Sequence, residues 1–449
     1  METFEIFLNV ISQNIWMFMM FPLLGIGFYL TFGLRLITII KIPSSFANLF
    51  DRDTNQETQA SGEISPFKAL MTALAATVGT GNIAGVATAI FLGGPGAIFW
   101  MWMTALFGMA TKYSEALLAV HYREKNAKGN FVGGPMYYIK NGLGKKWQWL
   151  GFCFSFLAIF AGLGAGNTVQ SNSIADVLYS NLNVPHWLTG VTILLLVAAV
   201  LIGGVKRIAS VAGKLVPIMI IAYLTTTILI LITNFDEIPD AFSLIFLDAF
   251  SGTAAAGGFA GATVMAAIRF GVARGIFSNE AGLGSAPIAH AAAKTNDPVK
   301  QGRIGMLGTF IDTILVCTMT ALVIIITGSW TSGENGATLT ATAFSSALPY
   351  GNYIVMISLI IFAFTTILGW SYYGERCAEF IFGQRSIIPF RIIWCAAIPI
   401  GAITGLEIIW LMADIMNALM AIPNLIALFL LSPVVFKISK EYENEINLN

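Results

Sequence analysis

Two polar, glycine-rich segments interrupt apolar stretches that are long enough to cross a bilayer. The first runs from Ala75 to Gly85 (AATVGTGNIAG) and the second from Phe277 to Pro287 (FSNEAGLGSAP). A lipid-buried helix has no water to satisfy open backbone hydrogen bonds, so these segments predict helices that unwind where the backbone lines a polar cavity. Unwound membrane helices expose N–H and C=O groups to a small ligand and its ion, which indicates a carrier.

The first segment offers donors and acceptors at separate places. N–H groups at the restart of a helix favour a carboxylate, because they are oriented donors and the helix dipole adds positive potential. The restart after Gly79, Thr80 and Gly81 is predicted to bind one. Carbonyls where a half-helix ends favour a cation or an ammonium group, and Ala75 and Val78 are predicted to supply them.

Further oxygen atoms are predicted near the same place. The carbonyls of Phe277 and Ser278 are candidates in the second segment, and Thr365 and Thr366 lie in the middle of a later span. A hard cation such as Na⁺ prefers oxygen ligands. The alternative for the two threonines is hydrogen bonding back to their own helix. Other residues in the breaks or at mid-span complete the predicted substrate-binding set: Thr77, Gln170, Asn279 and Trp370.

These segments must be positioned by a helical membrane domain. Hydrophobic residues make up 56% of the chain and charged residues 11%, whereas soluble domains carry about 25% charged residues. Mean hydropathy is +0.76. Apolar windows of about 20 residues predict eleven spans in a single all-α domain over residues 1–449. They lie near residues 14–34, 67–90, 94–120, 150–179, 187–204, 211–233, 262–292, 303–328, 351–382, 387–405 and 408–436.

The stretch 241–261 is rich in Gly and Ala and is open to two interpretations, a short extra helix or a re-entrant loop.

Basic residues orient the spans, since cytoplasmic ends accumulate Lys and Arg. With the N-terminus outside and the C-terminus in the cytoplasm, every Lys and Arg except Arg269 and Arg274 falls at inner connections. The predicted location is the cell membrane.

The two exceptional arginines lie in the span at 262–292, where an unpaired charge is costly. Either the boundary is misplaced and both lie in a loop, or a cation faces a water-filled vestibule and pairs with Asp414 or Asp248. We favour the second interpretation. The predicted gating residues are Arg274, Asp414 and Glu280.

The span count also predicts an internal repeat. If 14–34 is an extra N-terminal helix, ten spans remain, five in residues 67–233 and five in 262–436. Because five is odd, the second set enters the membrane from the opposite side and the repeat is inverted. The two glycine-rich breaks then occupy the first span of each repeat, which is the arrangement expected of a transporter binding site.

Four motifs resemble the signatures of the alanine or glycine:cation symporter family. They are VGTGNIAG (78–85), GGPMYY (133–138), FSNEAGLGS (277–285) and GWSYYGE (369–375). The resemblance covers nearly the whole chain. It implies a leucine-transporter-like core with a five-plus-five inverted repeat, and uptake of small amino acids coupled to Na⁺ or sometimes H⁺.

The resemblance also implies roles for single residues. The N–H groups of 79–81 would hold the substrate carboxylate, and the carbonyls of Phe277 and Ser278 its amine. Asn82 corresponds to a ligand of a second sodium ion. Gln170 matches no known ligand, and we include it because a mid-membrane amide faces the expected cavity. One sodium site would be formed by Ala75, Val78, Thr365 and Thr366.

The predicted function is therefore a Na⁺-driven symporter for alanine and glycine that works by alternating access. A proton-coupled amino acid permease of the same fold is the alternative, with Glu280 as its titratable group. A receptor or channel-like protein is a further class.

An enzyme is not predicted, because the loose dinucleotide pattern at 79–84 lacks a preceding strand. No cofactor is expected beyond the coupling ion Na⁺. The net charge of +0 gives no reason to expect a nucleic-acid partner.

Overall fold

The computed structural model describes residues 2–50, 61–251, 264–404 and 406–448, which fold almost entirely into helices. An antiparallel pair, β1 (Glu124–Lys125) and β2 (Phe131–Val132), follows the sixth helix. The α-helices of the first half are α1 (Glu2–Gly33), α2 (Ile37–Ile40), α3 (Ile42–Phe50), α4 (Pro66–Thr77), α5 (Val86–Gly93), α6 (Ala97–His121), α7 (Pro135–Tyr138), α8 (Gln148–Ala161), α9 (Val169–Leu182), α10 (His186–Leu201), α11 (Gly204–Thr233) and α12 (Ile238–Ser251).

The second half of the chain likewise consists mainly of helices separated by short breaks. Its α-helices are α13 (Val264–Asn279), α14 (Ala286–His290), α15 (Pro298–Thr309), α16 (Thr318–Ile326), α17 (Gly336–Ala347), α18 (Gly351–Phe382), α19 (Ile387–Ile403) and α20 (Leu406–Leu448). Turns of π-helix occur at Gly81–Gly85, Ile139–Leu143, Gly162–Thr168 and Phe310–Cys317. Single turns of 3₁₀-helix occur at Lys145–Trp147, Phe235–Glu237, Ser329–Thr331 and Gln384–Ser386.

Among the described residues, seven helical stretches are long and apolar enough to cross a membrane, and the bent pair α4–α5 adds an eighth. The all-α membrane fold is therefore confirmed, whereas the count of eleven spans stays a prediction. The helix α6 is long enough, but Lys112 and Glu115 lower its hydropathy. The helix α13 has 16 residues and carries two arginines.

Helix ends differ from the predicted span ends because polar residues continue a helix beyond the apolar stretch. The helix α11 begins at Gly204, seven residues before the span predicted at 211–233. The described part of 241–261 is helical, since α12 extends to Ser251. Predictions for residues 252–263 lie outside the described residues.

Local sequence explains the helix that leads into the first break. Pro66 occupies the first turn of α4, and the side chain of Ser65 accepts a hydrogen bond from the N–H of Lys68, as expected of an N-cap. The helix α18 packs along α4, α8 and α9, and α6 packs along α13 and α15. Gly369 of α18 lies so close to α4 that a Cβ there would be 2.8 Å from the backbone nitrogen of Ala76. This packing places both breaks in the centre of the bundle.

Candidate functional site

The first break is a bend between two short helices. The axes of α4 and of the helical segment Gly81–Gly93 differ by 55°, and Val78 between them has an extended backbone (φ −76°, ψ 97°). The freed N–H of Gly79 donates to Oδ1 of Asn82 at 2.9 Å, and that of Thr80 donates to Oε1 of Gln170 at 3.4 Å. The unwound backbone thus presents these two N–H donors to side-chain oxygens of the protein itself.

Glycine is required at the first of these positions. A Cβ on Gly79 would lie 2.5 Å from Oγ1 of Thr366 on α18, which is closer than two non-bonded atoms approach. The backbone can therefore meet the neighbouring helix only without a side chain.

The second break lies between α13 and α14. Glu280 has φ +56°, and Gly282 and Gly284 have φ +88° and +81°. A non-glycine residue rarely adopts this left-handed conformation, and such residues cluster at functional sites. The side chain of Asn279 caps the break, because its Oδ1 accepts a hydrogen bond from the N–H of Ala281 at 2.9 Å.

A small cavity lies between the two breaks. Eight of the ten predicted substrate-binding residues line it, together with the predicted gating residue Glu280. Ser278 and Asn279 do not. Other lining residues are Ala76, Ala165, Leu283 and Asn417. The eight predicted residues are Thr77, Gly79, Thr80, Gly81, Gln170, Phe277, Thr366 and Trp370.

The two residues outside the lining turn to other partners. The hydroxyl of Ser278 donates to Oδ2 of Asp312 at 2.8 Å. Nδ2 of Asn279 donates to Oγ1 of Thr313 at 3.1 Å. Asn279 therefore joins the second break to the segment after α15, and its side chain does not face the cavity.

Trp370 forms one wall of the cavity and is fixed on two sides. Its Nε1 donates to Oε1 of Glu280 at 2.7 Å, and the other carboxylate oxygen accepts from Oγ of Ser285 at 2.5 Å. On the opposite side the indole packs against Gly166, where a Cβ would be 2.3 Å from Cγ of Trp370. The ring position, and with it the cavity size, is set by a hydrogen bond and a glycine.

The four predicted sodium ligands are not all brought together. Oγ1 of Thr366 is 3.4 Å from the carbonyl oxygen of Val78 and also donates to the carbonyl of Phe362 at 3.0 Å. Oγ1 of Thr365 instead donates to the carbonyl of Phe362 at 2.9 Å and lies 3.6 Å from the sulfur of Met219 on α11. Both threonines thus bond back to their own helix, which was the alternative to a role as ligands. Ala75, the fourth predicted ligand, lies three residues before Val78 in α4 and is fully buried.

Sequence reasoning missed a buried carboxylate that joins the two breaks. Oδ1 of Asp312 accepts from Nδ2 of Asn82 at 2.7 Å. Its Oδ2 accepts from the hydroxyls of Ser278 and Thr313, both at 2.8 Å. Cys317 lies 3.3 Å from both Nδ2 of Asn82 and Oγ of Ser278. The sequence feature that could have indicated this carboxylate is an acidic residue inside the apolar span predicted at 303–328.

A wider open cavity is lined by Trp410, whose ring contacts Phe277 of the small cavity. Arg274 and Asp414 line it and form an ion pair at 2.7 Å. One turn further along α13, the Phe277 ring packs on Trp410 with centroids 5.4 Å apart. The ion pair and the ring pair thus separate the wide cavity from the small one. The other acid considered for this arginine, Asp248, accepts from the N–H of Gly96 at 2.8 Å.

Comparison with known proteins places this architecture among transporters. The profile of the Sodium:alanine symporter family matches residues 1–449. The chain is 48% identical to the sodium/alanine symporter AgcS of Methanococcus maripaludis, over 98% of this chain and 97% of that protein. It is 38% identical to the probable sodium/glutamine symporter GlnT of Bacillus subtilis, over 94% of this chain and 87% of that protein. A structure of MhsT in complex with L-phenylalanine is similar with a TM-score of 0.56 at 16% identity, over 82% of this chain and 89% of MhsT.

Proposed function

The chain belongs to the sodium:alanine symporter family, and on that premise we propose that it imports alanine and glycine together with Na⁺ by alternating access. It is a multi-pass membrane protein with a leucine-transporter-like fold, and a secondary transporter rather than an enzyme. The observation that carries the proposal is the small cavity between two broken helices, lined by backbone of the first break and by Phe277 and Glu280 of the second.

The substrate carboxylate would bind the N–H groups of the first break. Those of Gly79 and Thr80 already meet the oxygens of Asn82 and Gln170, and an incoming carboxylate would take the place of these acceptors. The amine would bind the carbonyls of Phe277 and Ser278. The negative carboxylate of the amino acid would then meet N–H donors, and its positive amine would meet carbonyl oxygens.

The size of the substrate would be limited by Trp370. The names of two relatives give different substrates, alanine and glutamine, so family membership alone leaves the substrate open. In this chain the cavity is small, and the indole is held against Gly166 by its bond to Glu280. A longer side chain would require the indole to move, which supports alanine and glycine.

Sodium would bind where Thr366 meets the carbonyl of Val78, with the carbonyl of Ala75 as a further oxygen. Thr365 would have to turn away from Met219 to join them. For a second ion, Asn82 offers an amide oxygen, and the carboxylate of Asp312 supplies the negative charge that a cation requires. Oxygen ligands and a buried carboxylate suit a hard cation.

Alternating access would use the contacts on either side of the cavity as gates. The pair Arg274–Asp414 and the Phe277–Trp410 contact close it from the wide cavity, which the proposed orientation, with the N-terminus outside, makes the extracellular vestibule. Glu280 would act as a gating residue from the second break, because its carboxylate holds Trp370 in place.

Uptake of radiolabelled alanine into proteoliposomes tests this function. Accumulation is expected under an inward Na⁺ gradient and not under a proton gradient alone, since the family favours Na⁺ as the coupling ion. Unlabelled glycine should compete with alanine, and glutamine should compete weakly. Accumulation driven by protons without Na⁺ would overturn the proposal in favour of a proton-coupled permease, and binding without accumulation would indicate a receptor.

A further inference from the structure

The ends of the two broken helices that lie away from the wide cavity are joined to each other. Residues 61–64 lead into α4, and residues 291–295 follow α14. Ile64 and Ala293 form a parallel bridge. The N–H of Glu63 donates to the carbonyl of Ala292 at 2.9 Å, and the N–H of Lys294 donates to the carbonyl of Ile64 at 2.7 Å. We call these two segments, 61–64 and 291–295, the joined ends.

One guanidinium from a third element binds both sides of this junction. Arg123 follows α6, and its Nη1 donates to the carbonyls of Ala291 at 3.0 Å and Ala293 at 2.7 Å. Its Nη2 donates to the carbonyl of Ser61 at 3.0 Å and also to that of Thr295. Four carbonyls from two chain segments therefore accept hydrogen bonds from one side chain, in a planar geometry that only arginine provides.

The charge of Arg123 is retained at neutral pH. Burial lowers its pKa from 12.5 to about 10, which still leaves the group protonated near pH 7. The guanidinium also lies over the ring of Phe131 in β2, 4.3 Å from the centroid. Charge-assisted hydrogen bonds are about twice as strong as neutral ones, so this contact is a strong link between α6 and the joined ends.

The joined ends lie on the closed side of the small cavity. All residues from Ala281 to Ala293 are buried, and so are those from Ala69 to Thr77 in α4. The wide open cavity instead lies beyond the contact between Phe277 and Trp410, and Trp410 lines it. The small cavity is therefore separated from the wide cavity by the ion pair and the ring pair, and from the face that holds Arg123 by these buried residues.

We propose that Arg123 is a positioning residue that keeps the transport site closed at this face, and that opening there requires its guanidinium to part from the joined ends. It touches neither substrate nor ion. It acts through α4 and α14, which carry the breaks at their other ends. Loss of the four hydrogen bonds shifts the protein towards the state that is open at the Arg123 face. This inference rests on the proposed symport function for its transport readout, but not for its structural one.

The test compares R123Q and R123K with the wild type and with R385Q, which removes a positive charge from an exposed residue. In R123Q, Na⁺-driven alanine accumulation should fall at least tenfold, while exchange of internal for external alanine at equal Na⁺ stays within about twofold. Net accumulation requires the empty site to return and close again at the Arg123 face, whereas exchange is completed by the loaded site alone. R123K keeps the charge but not the planar fork, so it should accumulate at an intermediate level, and R385Q should behave as wild type.

Hydrogen exchange gives a readout independent of transport. Amides in residues 61–65 and 286–295 should exchange at least tenfold faster in purified R123Q than in the wild type or R385Q. Equal loss of accumulation and exchange in R123Q, without faster amide exchange at the joined ends, would overturn the role of Arg123. Failure of the wild type to accumulate alanine with Na⁺ would overturn the proposed function instead, and the amide exchange would still decide the structural role.

Discussion

Replacing Asp312 with Asn tests whether the missed carboxylate is a cation ligand. The substitution keeps the size of the side chain. Its amide oxygen can still accept from Ser278 and Thr313, so the hydroxyl bonds of the wild type survive. The charge and the hydrogen bond from Asn82 to Oδ1 are lost, whereas the bond from Asn82 to the backbone carbonyl of residue 312 can remain. A charge removed from about 4 Å away, at an effective dielectric constant of about 20, is worth roughly 4 kcal/mol. The concentration of Na⁺ needed for half-maximal alanine uptake should therefore rise by a factor of up to about 10³.

The assay is the Na⁺ dependence of initial alanine uptake in proteoliposomes, with direct ²²Na⁺ binding as a second measurement. If Asp312 binds its own ion, the Hill coefficient for Na⁺ should also fall towards one in D312N. The matched control is T313V, which removes one hydrogen bond to the same carboxylate but no charge. Its loss should be on the order of 1 kcal/mol, or about fivefold. Unchanged Na⁺ activation in a folded D312N protein would refute the reasoning.

Three further substitutions test separate parts of the site. T366V should raise the half-maximal Na⁺ concentration about 5- to 30-fold, from the loss of roughly 1–2 kcal/mol. T365V should change this concentration less, because Thr365 faces α11. An equal effect of both substitutions would contradict this geometry. G166A should push Trp370 into the cavity and weaken alanine binding by roughly 1–3 kcal/mol. In competition binding, glycine should be less affected than alanine. An equal loss for both substrates would count against a role of Trp370 in limiting substrate size. D414N should break the ion pair that closes the cavity and speed the release of bound alanine at least tenfold; an unchanged release rate would exclude the pair as a gate.

The breaks could be predicted from sequence because their chemistry is local. Glycine and proline between apolar runs indicate unwound backbone in any membrane helix, and the predicted break between Thr77 and Asn82 is observed. Eight of the ten predicted substrate-binding residues line the cavity for the same reason, since most of them lie in or beside a break. The pairing of Arg274 with an acid could be anticipated because an unpaired charge at that depth is costly.

Contacts between distant segments could not be predicted in the same way. The orientation of the Asn279 side chain depends on its contact with Thr313 in the segment after α15, and the motif that contains Asn279 does not predict this contact. Thr365 and Thr366 are adjacent in sequence, yet a helix turns neighbouring side chains by about 100° and only Thr366 meets the first break. Asp312 was missed because its partners come from three separate elements.

In the proposed mechanism, Asn82 would make the binding of the ion and of the substrate depend on each other. Its Oδ1 accepts from the N–H of Gly79, and its Nδ2 donates to Asp312. A cation at Asp312 needs the oxygen of this amide, and a substrate carboxylate needs the N–H of Gly79. If the amide turned its oxygen to the ion, it would leave the N–H of Gly79 free, so binding of the ion would prepare the binding site of the carboxylate. Because coupling is reciprocal, the carboxylate that takes this N–H favours the orientation of Asn82 that holds the ion.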